Sequence, residues 1–396
     1  MPRIKKAAGD TWNWQQADWP NFQYDSLALQ QLENDFLRRS GVFLGAFLHV
    51  SEEEKLCLSI DLMITEALKT SEIEGEILNR ESVQSSICKH LGLTTDRRSV
   101  KPAEAGVAEM MVDLYNNFRK PLSHKMLLAW QAMILNGRRD VEQIGAYRKH
   151  DDPMQVVSGR LDNPKVHFEA PPSKCIPKEM DRFIDWFNSS ASGGKNAVPA
   201  VTRAAIAHLY FESIHPFEDG NGRIGRAISE KALAQGSGKP AMVALSQTIF
   251  LRRKTYYEML EKSNKSNIID GWLAYFGKTI LEGQDKGMKL VEFIIQKAKY
   301  YERFREKLNL RQLKVMERIF REGIGGFIGG LSAENYLAIT GTSRATATRD
   351  LVDLVKKGAL IRTGMGKGTR YKLPLQKEKE LYSEHLKTKT KNTLCT

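Results

Sequence analysis

His215-Pro-Phe-Glu-Asp-Gly-Asn-Gly-Arg-Ile-Gly-Arg226 places Gly220, Gly222 and Gly225 among polar and basic residues just ahead of a helical pattern. Ile224, Ile228 and Ala232 form one apolar row of that helix, which is expected to run from Gly222 to Gln235 and stop at Gly236. Glycine permits tight turns and close backbone approach, and the first N–H groups of a helix lack intrahelical partners. This composition therefore predicts an anion site at a helix mouth. Arg223 and Arg226, three apart, share a helix face and add two charge-assisted contacts. Asp219 is a hard oxygen ligand suited to Mg²⁺ beside a polyphosphate, and His215 has the chemistry of a base near neutral pH. The same residues also suit a simple nucleotide-binding module in which a histidine before proline only caps a helix. The motif's residues alone leave both readings open.

Outward from this motif, the apolar residues between 25 and 90 recur at helical spacing, as in Leu29, Leu32 and Phe36, then Leu58, Leu62 and Leu68, with Thr65 the polar break. Two or three helices are expected there. Within them, Thr70-Ser-Glu-Ile-Glu-Gly-Glu76 puts Thr70 and Glu74 on one helix face, and Gly75 is able to end the helix. Residues 104–136 and 176–213 also read as amphipathic helices. Between them, Gln155-Val-Val-Ser-Gly159 and Lys165-Val-His-Phe168 suit a β-hairpin, closed by Pro171-Pro172, whose free edge can pair with an extended peptide. The alternative is a plain connecting loop. At the N-terminal end Trp12, Trp14, Trp19, Phe22 and Tyr24 surround Pro20, which fits an extended strap packed on a core better than a ligand box.

The C-terminal part reads as a helix from Leu310, a second over Ser332–Thr340, Gly341, a third over Ser343–Lys357, then strand, glycine turn and strand to Leu373. Together these look like a winged helix, with Ser343, Arg344, Thr346 and Arg349 where a recognition helix meets DNA. Residues 301–396 hold 20 of the 60 Lys+Arg and 10 of the 47 Asp+Glu, so 10 of the net charge of +13 lies there. Such a surplus suits a polyanion-binding surface or serves solubility alone. Hydrophobic residues make up 41% of the 396, enough for a globular protein of two or three domains. Cys57, Cys88, Cys175 and Cys395 have no paired spacing and no accompanying His cluster, so neither disulfides nor structural metal are expected. No stretch approaches about 20 apolar residues, which argues against a membrane span and for a cytoplasmic location.

Residues 215–226 match the Fic motif H-P-F-x-[D/E]-G-N-G-R-x-x-R at each fixed position, and the strap, helical core and C-terminal module together resemble the three-part bacterial Fic proteins. The resemblance implies a mainly α fold: a Fic-type helical core with a β-hairpin flap, an N-terminal helical extension and a C-terminal winged helix. The corresponding boundaries are 1–100, 101–290 and 291–375, with a polar tail over 376–396. It also implies a protein adenylyltransferase, in which a Thr, Ser or Tyr hydroxyl of a target attacks the α-phosphorus of ATP and pyrophosphate leaves. In that scheme His215 is the general base, Asp219 holds Mg²⁺, and Phe217 anchors the loop. Gly220, Asn221 and Gly222 cradle the phosphates; Arg223 meets the α/β phosphates and Arg226 the γ-phosphate. Ile224 and Gly225 complete the ATP-binding run, with Tyr257 and Asn264 on the adenine side. Thr70 to Gly75 matches the family's inhibitory pattern [S/T]-x-x-x-E-G, so Glu74 is expected on Arg226, and Val157, Ser158 and Gly159 lie in the flap. The alternatives are a DNA-binding regulator with an ATP-sensing Fic site, and removal of AMP by the same pocket. A homodimer and DNA contact through the winged helix are the further partners.

Overall fold

The apolar spacing of the N-terminal third folds into three helices, α1 (Ser26–Leu48), α2 (Glu52–Ile73) and α3 (Arg80–His90). The computed structural model describes residues 11–48, 50–94, 100–160, 163–240, 243–322, 327 and 329–374; the polar tail with Cys395, and residues 1–10, lie outside them. Ser51 caps α2: its hydroxyl accepts from the Glu54 amide at 3.3 Å while the Glu54 carboxylate accepts from the Ser51 amide at 3.0 Å. The helix stops at Ile73, with Glu74 as C-cap and Gly75 at φ 86°.

Residues 104–136 and 176–213 each divide into two helices. α4 (Pro102–Asn117) and α5 (His124–Ile134) are separated by a turn holding Pro121, which has no amide to continue the ladder. The buried Lys231 ammonium donates to the carbonyls of Asn117, Phe118 and Lys120, and the Gln235 side-chain amide adds a second donor to Phe118 at 2.9 Å, so the end of α4 is tied to the helix that carries both residues. Next, β1 (Gln155–Arg160) and β2 (Asn163–Glu169) pair antiparallel, Gln155 opposite Glu169 and Ser158 opposite Lys165, with a bulge between Val156 and Val157. α6 (Ile176–Ser189) and α7 (Ala200–Ile214) follow, and Pro199 leads into α7.

α7 is buried on every side from Val201 to Ile214, so it is the central element of this part of the fold. α8 (Asn221–Ser237) packs along it. Gly236 does not stop α8; the helix continues to Ser237 and ends where Gly238 takes φ 70°. α9 (Leu245–Leu251), α10 (Arg253–Ser263) and α11 (Asp270–Phe304) follow. The strap lies on this core as expected: Trp19 packs edge-on against Phe22 and Tyr210, the Trp14 indole donates to the Glu169 carbonyl at 2.7 Å, and Trp12 packs on Phe168. Truncating a buried aromatic such as Trp19 costs about 3–5 kcal/mol.

The chain divides into two units, Met1–Met288 and Lys289–Thr396. In the second, α12 (Leu310–Arg321), α13 (Ala333–Thr340) and α14 (Arg344–Lys356) precede a hairpin of β3 (Ile361–Thr363) and β4 (Arg370–Lys372). Leu331 bridges to Tyr371. Tyr300, Phe304 and Phe320 form its aromatic centre, and the Tyr300 hydroxyl donates to the Ala359 carbonyl at 3.1 Å. No helix among the described residues is long and apolar enough to cross a membrane.

Candidate active site

His215 is the C-cap of α7, at φ 50° and ψ 59°, and is the one non-glycine residue with positive φ among those described. From it the chain turns through Pro216–Gly220 into α8. Asn221 ties that turn together: its side-chain oxygen accepts from the Phe217 amide at 3.0 Å and its NH₂ donates to the Phe217 carbonyl at 2.8 Å. The Asn221 side chain therefore supports the loop and is not offered to a phosphate. Gly220 sits at φ 95°, a conformation that requires glycine, and packs close to the end of the Ile134 side chain.

Arg148, fully buried, braces the turn from beneath. Its Nε donates to the His215 carbonyl at 2.8 Å, Nη1 to Ser173 Oγ at 2.9 Å and Nη2 to the Pro171 carbonyl at 2.5 Å, while its amide donates to Pro216 at 3.0 Å. One side chain thus links the histidine to the segment leaving the hairpin.

At the mouth of α8, Glu74 and Arg226 form an ion pair, Oε1 to Nη2, at 2.7 Å. Thr70 holds the same guanidinium twice: Oγ1 accepts from Nε at 2.8 Å and the carbonyl from Nη2 at 2.9 Å. Arg226 Nη1 is buried without a protein partner. A Cβ built on Gly222 would run into Glu74 Oε1, so the carboxylate lies over the first turn of α8, where an anion is favoured by the helix dipole. Arg223 donates to Glu76 at 2.9 Å and to Asp219 at 3.3 Å, and Arg138 reaches the other Asp219 oxygen at 3.0 Å.

Burial, with the Arg148 charge second, depresses the His215 pKa to about 4, against a hydrogen bond with the Glu212 backbone and the charges of Glu74 and Asp219. Burial, followed by the charge of Glu74, pushes Glu212 up to about 8 despite Arg226. At pH 7 the 3.7 Å approach of His215 Nδ1 to Glu212 Oε2 is thus a neutral imidazole beside a protonated acid, not an ion pair. A neutral, largely buried imidazole is the form that accepts a proton.

The remaining expected residues are placed unevenly. Ile224 is fully buried, and its amide is bonded to the Gly220 carbonyl, so it belongs to the core and offers nothing to a nucleotide. Gly225 gives α8 its close approach to α7, since a Cβ there would come within 2.6 Å of Glu212 Oε1. Tyr257 is 40% exposed, and its hydroxyl donates to the Ile73 carbonyl at 3.4 Å, beside Glu74. Asn264 is buried, bonded through its carbonyl to the Asn13 amide at 2.7 Å and through its side chain to Ser213 at 3.4 Å, and so anchors the strap. Val157 is half exposed, Gly159 takes φ 94°, and Ser158 is 2.5 Å from His167, which is bonded in turn to Glu261 at 2.7 Å. No strand among the described residues pairs with the outer edge of β1.

No group of three or more His, Cys, Asp or Glu among the described residues is arranged to hold a metal alone. The partly exposed Asp219 carboxylate fits Mg²⁺ in the manner that needs the fewest protein ligands, one carboxylate supplemented by phosphate oxygens.

Arg148, Arg138, Glu76 and Glu212 were not singled out as site residues by the motif. Arg148, Glu76 and Glu212 lay within stretches read for their secondary structure, and burial and long-range partners leave no local spacing signal of a site role.

A buried helix, a glycine turn with an αL histidine and an antiparallel hairpin agree with the helical core and hairpin flap that the resemblance of residues 215–226 implies. Residues 121–233 match the Fic/DOC family, and residues 12–93 match a domain of unknown function, DUF4172. The central part of the chain is thus similar to Fic family proteins. It is 32% identical over 120 residues to the protein adenylyltransferase Fic of Drosophila willistoni, covering 30% of this chain and 22% of that protein. It is 25% identical over 194 residues to a probable protein adenylyltransferase of Aquifex aeolicus, covering 48% and 51%. The chain thus spans between about a fifth and half the length of these curated relatives. A Fic family protein from Desulfovibrio desulfuricans shares the fold, with a TM-score of 0.50 at 21% identity over 86% of this chain and 95% of the other.

Proposed function

We propose that this protein transfers AMP from ATP to a hydroxyl side chain of a protein, and that Glu74 holds the reaction in check. The observation that carries this reading is the Glu74 carboxylate lying on Arg226 and over Gly222: the helix mouth is built for an anion and already grips one of the chain's own. In the proposed active form the γ-phosphate replaces that carboxylate on Arg226, and Arg223 holds the phosphates nearer the bond to be broken. His215, neutral at pH 7, accepts the proton of a Ser, Thr or Tyr hydroxyl as its oxygen bonds to the α-phosphorus. The bond from that phosphorus to the bridging oxygen breaks, and pyrophosphate leaves with the electron pair. Asp219 would hold Mg²⁺ together with the nucleotide's phosphate oxygens, and the ion would supply charge neutralisation there.

The free edge of β1 at Val157 to Gly159 gives an extended target segment a strand to pair with, which would align its hydroxyl. Tyr257, partly exposed next to Glu74, is the better placed of the two adenine-side residues, whereas Asn264 supports the strap. The elements α12 to β4 are read as a winged helix.

Glu74→Gly protein incubated with ATP labelled on either the α- or the γ-phosphate tests the reaction type. AMP transfer predicts retention of the α label only, lost in Glu74→Gly/His215→Asn. Retention of the γ label, or persistence without His215, contradicts it.

A further inference from the structure

We propose that the second unit binds duplex DNA, with α14 in the major groove and the β3–β4 hairpin on the adjoining backbone. The exposed side of α14 consists of Arg344, Ala345, Thr348, Arg349, Val352 and Lys356, two rows at i, i+4 spacing. Arginine suits the guanine edge, while Thr, Ala and Val methyl groups suit thymine; the combination is that of a groove-reading face. Both carboxylates of α14 are held elsewhere. Asp350 is buried and accepts from Arg311 at 2.8 Å, Tyr336 at 2.9 Å and Asn309 at 3.2 Å; Asp353 accepts from Gln312 at 2.9 Å and pairs with Lys357. These bonds also fix α14 on α12 and α13, so its outward face is presented rigidly. Ser343 caps the helix, accepting from the Thr346 amide at 3.3 Å.

The hairpin adds exposed Arg362 and Lys372, one on each of its faces, so one of them is available to the backbone on the side the hairpin presents. Among the described residues Glu334 is the acid bridged to α14's outer face, 3.7 Å from Arg344 with both side chains largely exposed, an arrangement that phosphate readily displaces. The exposed large apolar residues of the unit, among those described, are Leu310, Val352 and Met365. That is too little apolar surface for the centre of a protein interface. A-form RNA is a poorer fit because its major groove does not admit a helix.

The test is fluorescence anisotropy of a labelled 20-base-pair mixed-sequence DNA duplex with the full chain as KCl is raised. Neutralisation of about four phosphates, by Arg344, Arg349 and Lys356 of α14 and one basic residue of the hairpin, predicts a slope of about −3 to −4 in log affinity against log salt, or about tenfold loss from 50 to 100 mM. Arg344→Glu/Arg349→Glu should weaken binding at least tenfold with circular dichroism and AMP transfer unchanged. Replacing Lys387, Lys389 and Lys391 by Gln should leave affinity within about threefold. No binding at 50 mM, a flat salt slope, an unaffected Arg344→Glu/Arg349→Glu protein, loss with the tail lysines, or equal affinity for an RNA duplex would each overturn the proposal.

Discussion

Glu74 Oε1 lies 2.7 Å from Arg226 Nη2, joining the end of α2 to the first turns of α8. Arg226 is 1% exposed and Glu74 30%, so Glu74→Gly leaves a buried guanidinium with only the two Thr70 bonds. The expected loss is about 1.5–3 kcal/mol, that of a hydrogen bond to a charged group. Thermal melts should show a lower Tm for the variant without ligand, and a larger rise on adding ATP and Mg²⁺ than in the wild type. An equal ligand-induced rise in both would count against a shared anion site.

Thr70→Val removes the bond to Arg226 Nε but keeps the carbonyl bond and Glu74. Partial release is expected: a few-fold rise in AMP incorporation, smaller than that of Glu74→Gly. Because both residues act through one guanidinium, Thr70→Val should add little to Glu74→Gly, which a double-mutant comparison of initial rates measures.

His215 sits at φ 50°, which asparagine tolerates better than alanine. His215→Asn should fold like the wild type, by circular dichroism and Tm, and transfer no label. With the imidazole pKa near 4 in the presence of Glu74, and lower once that charge is removed, the Glu74→Gly rate should stay level from about pH 5.5 to 7 and fall only at pH 4 or below. The stability consequences run in opposite directions. Between pH 4 and 6.5 the unfolded chain binds the His215 proton and the folded chain does not, so this contribution is lost as pH falls through that window. Between pH 4.5 and 8 the folded chain retains the Glu212 proton, so that contribution is lost as pH rises towards 8.

Arg148→Met removes donors from the carbonyls of His215 and Pro171 and from Ser173. Each buried acceptor left without its donor costs about 1–3 kcal/mol, so a clear drop in Tm is expected. If Arg148 positions the histidine, kcat should drop with KM little changed. The acid limb of the pH profile should also move upward, since its positive charge helps depress the His215 pKa. A purely structural role would leave that limb in place.

What sequence made legible follows from locality. The glycine turn, the Thr70–Gly75 stretch and the hairpin are each written in a few adjacent residues, because φ above zero, helix faces and strand alternation are short-range requirements. The pairing of Glu74 with Arg226 spans 152 positions and was reached through family resemblance, not spacing. Ile224 shows the opposite failure: lying inside a functional motif, it faces the core, and its alternation with Arg223 and Gly225 is helical geometry. Arg148 carried no site signal, since an arginine beside a hairpin reads as surface until its acceptors, the carbonyls of Pro171, Ile214 and His215 and the Ser173 hydroxyl, are brought to it by the fold. Gly236 was a misleading stop, because a glycine within a helix differs from a C-cap only in its φ.

The most direct measurement is the initial rate of AMP incorporation from α-labelled ATP by wild type and Glu74→Gly, side by side at equal concentration with Mg²⁺. If the Glu74 carboxylate occupies the nucleotide's place on Arg226, the variant should label at least about tenfold faster, a release of roughly 1.4 kcal/mol or more in the barrier. Equal rates in the two proteins would contradict the account.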